Sequence, residues 1–209
     1  MSQKFLGTVA AVALMAMSAS SALAVTVTID LNTGGDATNL GGGNGTFSSG
    51  GITGSILAGC DLGGNDTDCD GSQTADIPLI TISNDGMGVR SDNDASDELD
   101  ENNRGEFLTF TFDFLVNLLE IDFRSLGGGE YDLLVNGLLV AGGNDADDDP
   151  WTTDLFNVSS FTVIGEDGGF WVRSFDVERV AAPVPLPAGG LLLIGALGGL
   201  AALRRRKTA

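Results

Sequence analysis

Carboxylates at alternate positions are the residues of this sequence whose types and spacing best fit a chemical role. Asp66, Asp68 and Asp70 alternate through Asp66-Thr67-Asp68-Cys69-Asp70-Gly71. This spacing can direct hard oxygen ligands at one calcium ion, and the glycine permits the sharp turn that such a loop needs. The second half of a calcium loop is missing, because Ile77 stands where a bidentate Glu belongs and a strand is predicted to follow. The segment is therefore not an EF-hand. At most it is a loop that borrows the same calcium-ligand geometry, and a solvated acidic loop is the other reading.

The two cysteines, Cys60 and Cys69, bracket this loop. In an oxidising, exported setting such a pair usually forms a disulfide. Closing so short a loop stabilises a fold by roughly 2–3 kcal/mol, and the bridge would also pre-shape the carboxylates. Free thiols and a metal pair are the alternatives, and the absence of His and of further Cys disfavours a zinc site.

Two further acidic clusters lie later in the chain, in 91–101 and in 145–149. Carboxylates this dense repel one another, so bound cations or extended, solvated loops must relieve them. A calcium site shared between these loops at one end of the fold is a hypothesis. Trp151, directly after the second cluster, is the preferred candidate for stacking on a sugar, and Tyr131 is a further candidate. Trp171 is a third, but it lies in a predicted strand, where a core or half-core position is favoured. A hydrophobic plug at the start of a strand is the alternative role for Trp151.

Catalysis has little support in the sequence. There is no histidine, which excludes Ser-His-Asp and Cys-His sites. The glycine runs at 41–43 and 127–129 lack the lysine and the strand–turn–helix setting of a phosphate loop. A carboxylate pair could cut a glycoside, but no pair stands out among 29 acidic residues. We expect no enzyme, and a glycoside-active enzyme is a remote alternative.

The elements that must position these residues have the pattern of strands. Val25–Leu31 alternates Val, Thr and Ile and predicts the first strand, and Ile77–Ser83 predicts a later one. Leu40–Gly54 is rich in Gly, Ser and Asn, which indicates loops around short strands near Phe47 and over Ile52–Leu57.

Glu106–Glu120 gives the clearest strand pattern in the chain. One alternating set is uniformly apolar and is predicted to face the core, with Thr and Asp outward; its members are Leu108, Phe110, Phe112 and Phe114. Leu118–Phe123 is predicted as the next strand, after a turn at Asn117. Asn136-Gly137, between two apolar runs, then predicts a two-residue hairpin.

Two more strands are predicted over Leu155–Ile164 and Phe170–Val180, with a bulge near Arg173-Ser174 in the second. Eight to ten strands and no helix therefore fall within one body of about 158 residues. These features predict an all-β fold, a single β-sandwich domain of jelly-roll-like type.

Both ends of the chain have the composition of addressing segments. Met1–Ala24 has Lys4, then the apolar run Phe5–Met17, then the cleavage site Ala22-Leu23-Ala24. This order predicts a secretory signal peptide over 1–24, with an N-terminal membrane helix as the alternative. The exported body is then predicted over 25–182.

Residues 183–209 combine three features in a fixed order. The motif Val184-Pro185-Leu186-Pro187-Ala188 opens an uncharged apolar run over 186–203, and the cations Arg204, Arg205, Arg206 and Lys207 follow. A run of about 18 residues is at the short limit for a membrane-spanning helix. The cations should stay cytoplasmic, which puts the body on the other side of the membrane.

This combination resembles the VPLPA-type variant of the PEP-CTERM sorting signal. The resemblance implies recognition by an exosortase-type processing enzyme of a Gram-negative bacterium, cleavage near the proline motif, and release or attachment of the body at the cell surface. It also implies association with exopolysaccharide and biofilm systems. An uncut single-pass anchor is the alternative. More weakly, Gly88-Val89-Arg90 with Gly105–Phe112 resembles exported domains that often precede such tails and are similar in shape to carbohydrate-binding modules.

The body between the two ends is strongly acidic. All 29 Asp and Glu residues lie between Asp30 and Glu178, against five arginines, which gives a net charge of −24. A field of this sign repels nucleic acid and attracts divalent cations and cationic partners, and no basic patch is present for nucleic acid to bind. Simple solubility outside the cell is the other reading of this charge.

These features together predict a non-enzymatic protein that crosses the inner membrane. The precursor would be membrane-anchored and the product would lie at the cell surface or outside the cell. A structural or adhesive role in a layer of extracellular polysaccharide is expected. A calcium-dependent carbohydrate-binding module, using Asp66, Asp68, Asp70 and Trp151, is the alternative.

Overall fold

The computed structural model of the protein describes residues 24–60, 78–90, 97–100, 105–125, 127–146, 150–180 and 196. The regular elements within these residues are twelve strands, which confirms the prediction of an all-β fold. In chain order they are β1 (Thr26–Asp30), β2 (Ala37–Gly41), β3 (Asn44–Ser49), β4 (Ile52–Cys60), β5 (Leu79–Ile82), β6 (Met87–Arg90), β7 (Leu99–Asp100), β8 (Glu106–Ser125), β9 (Glu130–Val135), β10 (Leu138–Asp145), β11 (Trp151–Asp167) and β12 (Gly169–Arg179). The described part of the chain contains no helix of the length and hydropathy that crossing a membrane requires.

All twelve strands belong to one antiparallel sheet, with β8 at its centre. The first half of β8 pairs with β4 and with the second half of β11. This portion of the sheet runs β2-β3-β4-β8-β11-β9-β10. The second half of β8 pairs with the first half of β11 and with β12. The other edge of β12 carries β1, β6 and β7, and β5 pairs with β6.

The sheet folds over on itself at β8 and β11. Phe175 in β12 lies opposite Ile121, which is eleven positions along β8 from Phe110. A straight strand would separate those two positions by about 36 Å, yet the ring centroids of Phe110 and Phe175 are 5.3 Å apart. The two portions of the sheet therefore face each other, and the core lies between them.

The bend coincides with irregular pairing between β8 and β11. From Val116 to Thr111, β8 contains three more residues than β11 contains over the facing stretch, Val158 to Ser160. On the facing strand Asn157 has a φ of 59°, a left-handed conformation that Asn adopts more readily than most residues. Extra residues on one strand increase its local bend and twist, which lets both long strands pass from one portion of the sheet to the other.

Aromatic rings from both portions meet in the core. Phe175 makes edge-on or steeply tilted contacts with four rings, whose centroids are 5.1–5.9 Å away: Phe47, Phe110, Phe112 and Phe161. A second group joins Phe123, Tyr131 and Phe170, with Phe123 and Tyr131 centroids 4.3 Å apart. Edge-to-face pairs of this kind stabilise a core beyond the area they bury.

The predicted turn at Asn117 is wrong, because Glu106–Ser125 is one continuous strand. Asn117 is paired with Glu178 of β12, between the buried side chains of Val116 and Leu118. The chain reverses direction here through a bend within a strand that stays paired with its neighbours, and not through a turn. The predicted inward set is otherwise right, with Leu108, Phe110 and Phe112 buried and Phe114 half-buried.

Two local predictions are confirmed. Asn136 and Gly137 join β9 to β10 with φ values of 51° and 78°, the pair of positive values that a type I′ hairpin requires. A register shift between Val172 and Ser174 marks the predicted bulge in β12. Three strands had no counterpart in the sequence reading: β2, β6 and β7.

Candidate functional site

The predicted calcium residues, Asp66, Asp68 and Asp70, lie outside the described residues, so calcium there stays a prediction. Cys60 ends β4 opposite Glu106 and is disulfide-bonded. Cys69, its expected partner, also lies outside the described residues, and this pairing stays a prediction. Within the described ranges no three or more His, Cys, Asp or Glu side chains are grouped to hold a metal ion.

The aromatic residues considered for sugar stacking are mostly inside the protein. Tyr131 and Trp171 are 2% and 7% exposed, so neither presents a ring face to a ligand. Tyr131 as a candidate is wrong, and Trp171 has the core position that its place in a strand favoured. Burial raises the pKa of the Tyr131 phenol to about 12, which keeps it neutral in the core. Trp151 opens β11 opposite Ile121, is half-buried, and packs against the core.

The sorting motif also lies outside the described residues. This holds for Val184, Pro185, Leu186, Pro187 and Ala188 and for Arg204, Arg205 and Arg206. The signal-peptide prediction over 1–24 falls outside as well, apart from Ala24. Both addressing segments therefore stay predictions, and the surfaces of the body carry the rest of the argument.

One end of the folded sheet, here called the acidic end, is formed where strands terminate at Cys60, Arg90, Glu106, Asp145 and Asp167. The ladder aligns these positions, because Cys60 pairs with Glu106, and Asp145 and Asp167 both pair with Glu130. The acidic sequence segments 61–77, 91–96 and 147–149 are joined to the strands at or near this end.

Two carboxylate residues at the acidic end are themselves buried, Asp100 at 6% and Glu106 at 5% exposure. Gly165 and Gly169 allow the segment that contains Glu98 and Asp100 to pack closely against β11 and β12. A Cβ on Gly165 would meet the backbone of Asp100, and one on Gly169 would collide with the Glu98 carboxylate. The Ser125 hydroxyl accepts hydrogen bonds from the amides of Gly127 and Gly129 at 3.1 and 3.2 Å. The acidic end is therefore tightly packed at its base.

A row of carboxylates also crosses the outer face of β8 and β12. Glu120 pairs with Asp176, and Asp122 follows two residues along the same strand. Desolvation raises the pKa of Glu120, and the nearby charges of Asp176 and Asp122 raise it further. Arg173 lies 3.8 Å from Asp122, and the Thr28 hydroxyl donates to Asp176 at 2.6 Å.

The opposite end, here called the apolar end, exposes large apolar side chains. Val25, Leu115, Leu138 and Phe156 are 69%, 45%, 71% and 67% exposed. None of them was a candidate from sequence. The sequence did contain one signal for Phe156. Leu155 and Phe156 are adjacent, and adjacent side chains of a strand point to opposite faces, so one of the two faces outward.

Hydrogen bonds bring these side chains to the same end. The Val180 amide donates to the Leu115 carbonyl at 3.3 Å. The Asn136 side chain at the hairpin tip donates to the Asn157 carbonyl at 3.3 Å, which brings the start of β10 beside Phe156. Val25 directly precedes β1, whose Thr26 pairs with Glu178.

The first and last residues of the described body consequently leave it side by side. β1 and β12 are antiparallel neighbours, so residues 24–25 and 179–180 both emerge at the apolar end. No protein-family model, curated protein or solved structure matches the chain. The arrangement available for function is thus a body with carboxylates and the exposed Leu79 at one end, and with Val25, Leu115, Leu138, Phe156 and both chain connections at the other.

Proposed function

We propose that this chain is an exported, C-terminally sorted protein of the cell surface or extracellular matrix. Its acidic body has a structural or adhesive role, rather than a catalytic one, in a layer of extracellular polysaccharide. The observation that carries the proposal is the order of features over 183–209, with a proline motif, an apolar run and a basic cluster. That order resembles the VPLPA-type sorting signal and suits an exosortase-type processing enzyme.

The arrangement of the body supports the proposal. Val180 is only a few residues from the proline motif, and it lies at the end of the body opposite the strand termini that lead into the acidic segments. A tether that leaves from one end keeps the other end free to meet ions and matrix. The net charge of −24 favours solubility and repels other anionic bodies.

We also propose that the body is a β-sandwich of jelly-roll-like type. The support is that one continuous sheet folds at β8 and β11, with Phe110 and Phe175 in contact across the fold. Sandwiches present their connecting segments at the two ends, which suits a protein that is tethered at one end and binds at the other.

Intact-mass analysis of the protein purified from its own cells tests the sorting proposal. The expected mature chain begins at Val25, lacks the segment after the proline motif, and has the mass of one disulfide without reductant. A variant with Pro185→Ala and Pro187→Ala is expected to keep its C-terminal segment and to remain in the inner membrane. This variant leaves the body unchanged, so a folding defect cannot explain the result.

Three outcomes would contradict the proposal in different ways. A product that keeps the basic cluster but has lost its first 24 residues would identify a permanent anchor and exclude sorting. A full-length chain recovered from the cytosol would exclude export altogether. Wild-type and proline-variant chains cut at the same position would show that the proline motif does not direct cleavage.

A further inference from the structure

The apolar end is the surface of the body that lies nearest to the predicted membrane segment. Leu186, where the uncharged run begins, follows Val180 by six positions along the chain. Even fully extended this stretch reaches about 20 Å, and the headgroup region takes up several ångströms of that length. If the run spans the membrane, as the proposed function holds, Leu115 is close to the bilayer surface because its carbonyl accepts from the Val180 amide.

The side chains at this end suit an interface between water and lipid. Leu, Val and Phe side chains gain free energy when they leave water, and shallow insertion by about 5–10 Å is enough to cover them. Three of the charged residues nearby are engaged with neighbours, while Asp154, two positions before Phe156 on the same strand, is exposed. Asp113 accepts from the Thr53 hydroxyl, Glu178 accepts from the Thr26 hydroxyl, and Arg179 lies 4.2 Å above the Phe114 ring.

The charge distribution sets the orientation of the body. Anionic lipid headgroups repel carboxylates, and the acidic segments are joined to strands at the opposite end. Resting the acidic end on the membrane would place carboxylates such as Glu130, Asp145 and Asp167 against the lipid. Resting the apolar end there directs the acidic end away from it.

A lipid surface fits this patch better than a second copy does. Four side chains at a narrow end cover far less than the roughly 800 Å² per partner of a stable protein interface. A tethered body does not need that area, because attachment by the C-terminal segment makes contact with the lipid effectively intramolecular. A weak apolar contact is then sufficient to hold the body in one orientation.

We propose that the apolar end, through Phe156, Leu138 and Leu115, rests on the bilayer surface while the C-terminal segment remains attached. This inference rests on the proposed function. It adds a defined orientation of the precursor, with the acidic end pointing away from the membrane.

Fluorescence quenching by brominated lipids tests the orientation. The full chain carrying Phe156→Trp is reconstituted into phosphatidylcholine vesicles that have bromine on the acyl chains. The fluorescence of Trp151 and Trp171 is measured in wild-type protein and subtracted. The matched control is Leu79→Trp, which introduces an exposed indole near the acidic end, where Leu79 pairs with Arg90. Circular dichroism confirms that each variant keeps its β-structure, and Leu138→Trp replaces the Phe156 variant if that variant does not fold.

The expected result is that the indole at position 156 is quenched at least about twofold more than the one at position 79. Equal quenching in protein that floats with the vesicles would overturn the inference while leaving the anchor intact. Protein that does not float with the vesicles would overturn the anchor and this inference together. The indole at position 156 could instead become more protected from iodide as protein density rises, without being quenched by bromine. That result would identify a second copy of the chain as the occupant of the apolar end and would also overturn the inference.

Discussion

Asn136 stabilises the β9–β10 hairpin in two ways. Its φ of 51° is a conformation that Asn tolerates better than most residues. Its side-chain oxygen accepts from the amides of Ser159 and Ser160 at 2.8 and 3.2 Å and from the Ser159 hydroxyl at 2.9 Å. One side chain thus joins the hairpin tip to the irregular stretch of β11, and so to the bend itself.

Asn136→Ala is expected to lower the free energy of unfolding by about 1–3 kcal/mol, because it removes these hydrogen bonds and strains the backbone. Asn136→Gly removes the same bonds without the strain, so its loss should be smaller. Urea denaturation of both variants measures the two contributions. A glycine variant as stable as the wild type would show that the side-chain bonds contribute nothing.

Glu120 is the residue whose charge works against the fold. Its pKa is raised in the folded state by desolvation and by Asp176 and Asp122, so its ionised form costs stability at neutral pH. That cost disappears as the pH falls through the folded-state pKa toward the lower, unfolded-state value.

Glu120→Gln is therefore expected to raise the melting temperature at pH 7, and the gain should vanish below about pH 4. Arg173→Gln is the counterpart of opposite sign, because it removes the cation 3.8 Å from Asp122 and should lower the melting temperature. Thermal melts across pH measure both effects. A pH-independent gain from Glu120→Gln would refute the electrostatic account.

At the scale of elements, the bend in β8 is held by ring contacts across the core. Three of the rings that Phe175 contacts belong to β8 and β11, on the opposite portion of the sheet: Phe110, Phe112 and Phe161. These contacts close the two portions of the sheet onto each other. Losing them leaves a cavity where the portions meet.

Phe175→Ala is expected to cost about 3–5 kcal/mol, as for other large core truncations, while Phe175→Leu should cost clearly less. Phe156→Ala, at a side chain 67% exposed, is the matched control and should change stability by no more than about 0.5 kcal/mol. Chemical denaturation of the three variants makes the comparison. Equal losses for Phe175→Ala and Phe156→Ala would contradict the proposed role of the ring cluster.

The sequence predicted those elements whose signals are local. Alternation identified the inward side chains around Phe110, and Asn136-Gly137 identified the hairpin, because each pattern depends on neighbouring residues only. The bend near Val116 was mistaken for a turn at Asn117, since only pairing with the distant β11 and β12 distinguishes the two. Strands such as β7, two residues long, carry no periodic signal at all.

The site was less predictable than the fold. Tyr131 is a candidate sugar platform by sequence, but whether an aromatic side chain is exposed depends on which strands cover it. The apolar end was missed for the same reason, because Phe156, Leu138 and Leu115 are distant in sequence and meet only after the sheet folds. The acidic segments, by contrast, were evident from composition alone.

At the scale of the whole molecule, charge opposes compaction. A net charge of −24 on the body causes self-repulsion in the compact state, and salt screens repulsion between exposed groups. Raising NaCl from about 20 mM to about 500 mM is therefore expected to raise the melting temperature by roughly 2–6 °C. Differential scanning calorimetry on the mature protein measures it, with sucrose as an uncharged control for exclusion effects. A melting temperature that falls with salt would mean that ion pairs outweigh the repulsion.

The pairing of β12 has a mechanical consequence. β12 is bonded along its length to β8 and, on its other edge, to β1, and it ends where the chain continues toward the C-terminal segment. Hydrogen bonds between antiparallel strands run perpendicular to the strands. A force that pulls β12 along its axis from the C-terminal segment, while the acidic end is held, therefore loads many of these bonds in shear at once. The body would resist traction between a membrane and a surrounding gel by breaking these bonds together, rather than by peeling one at a time.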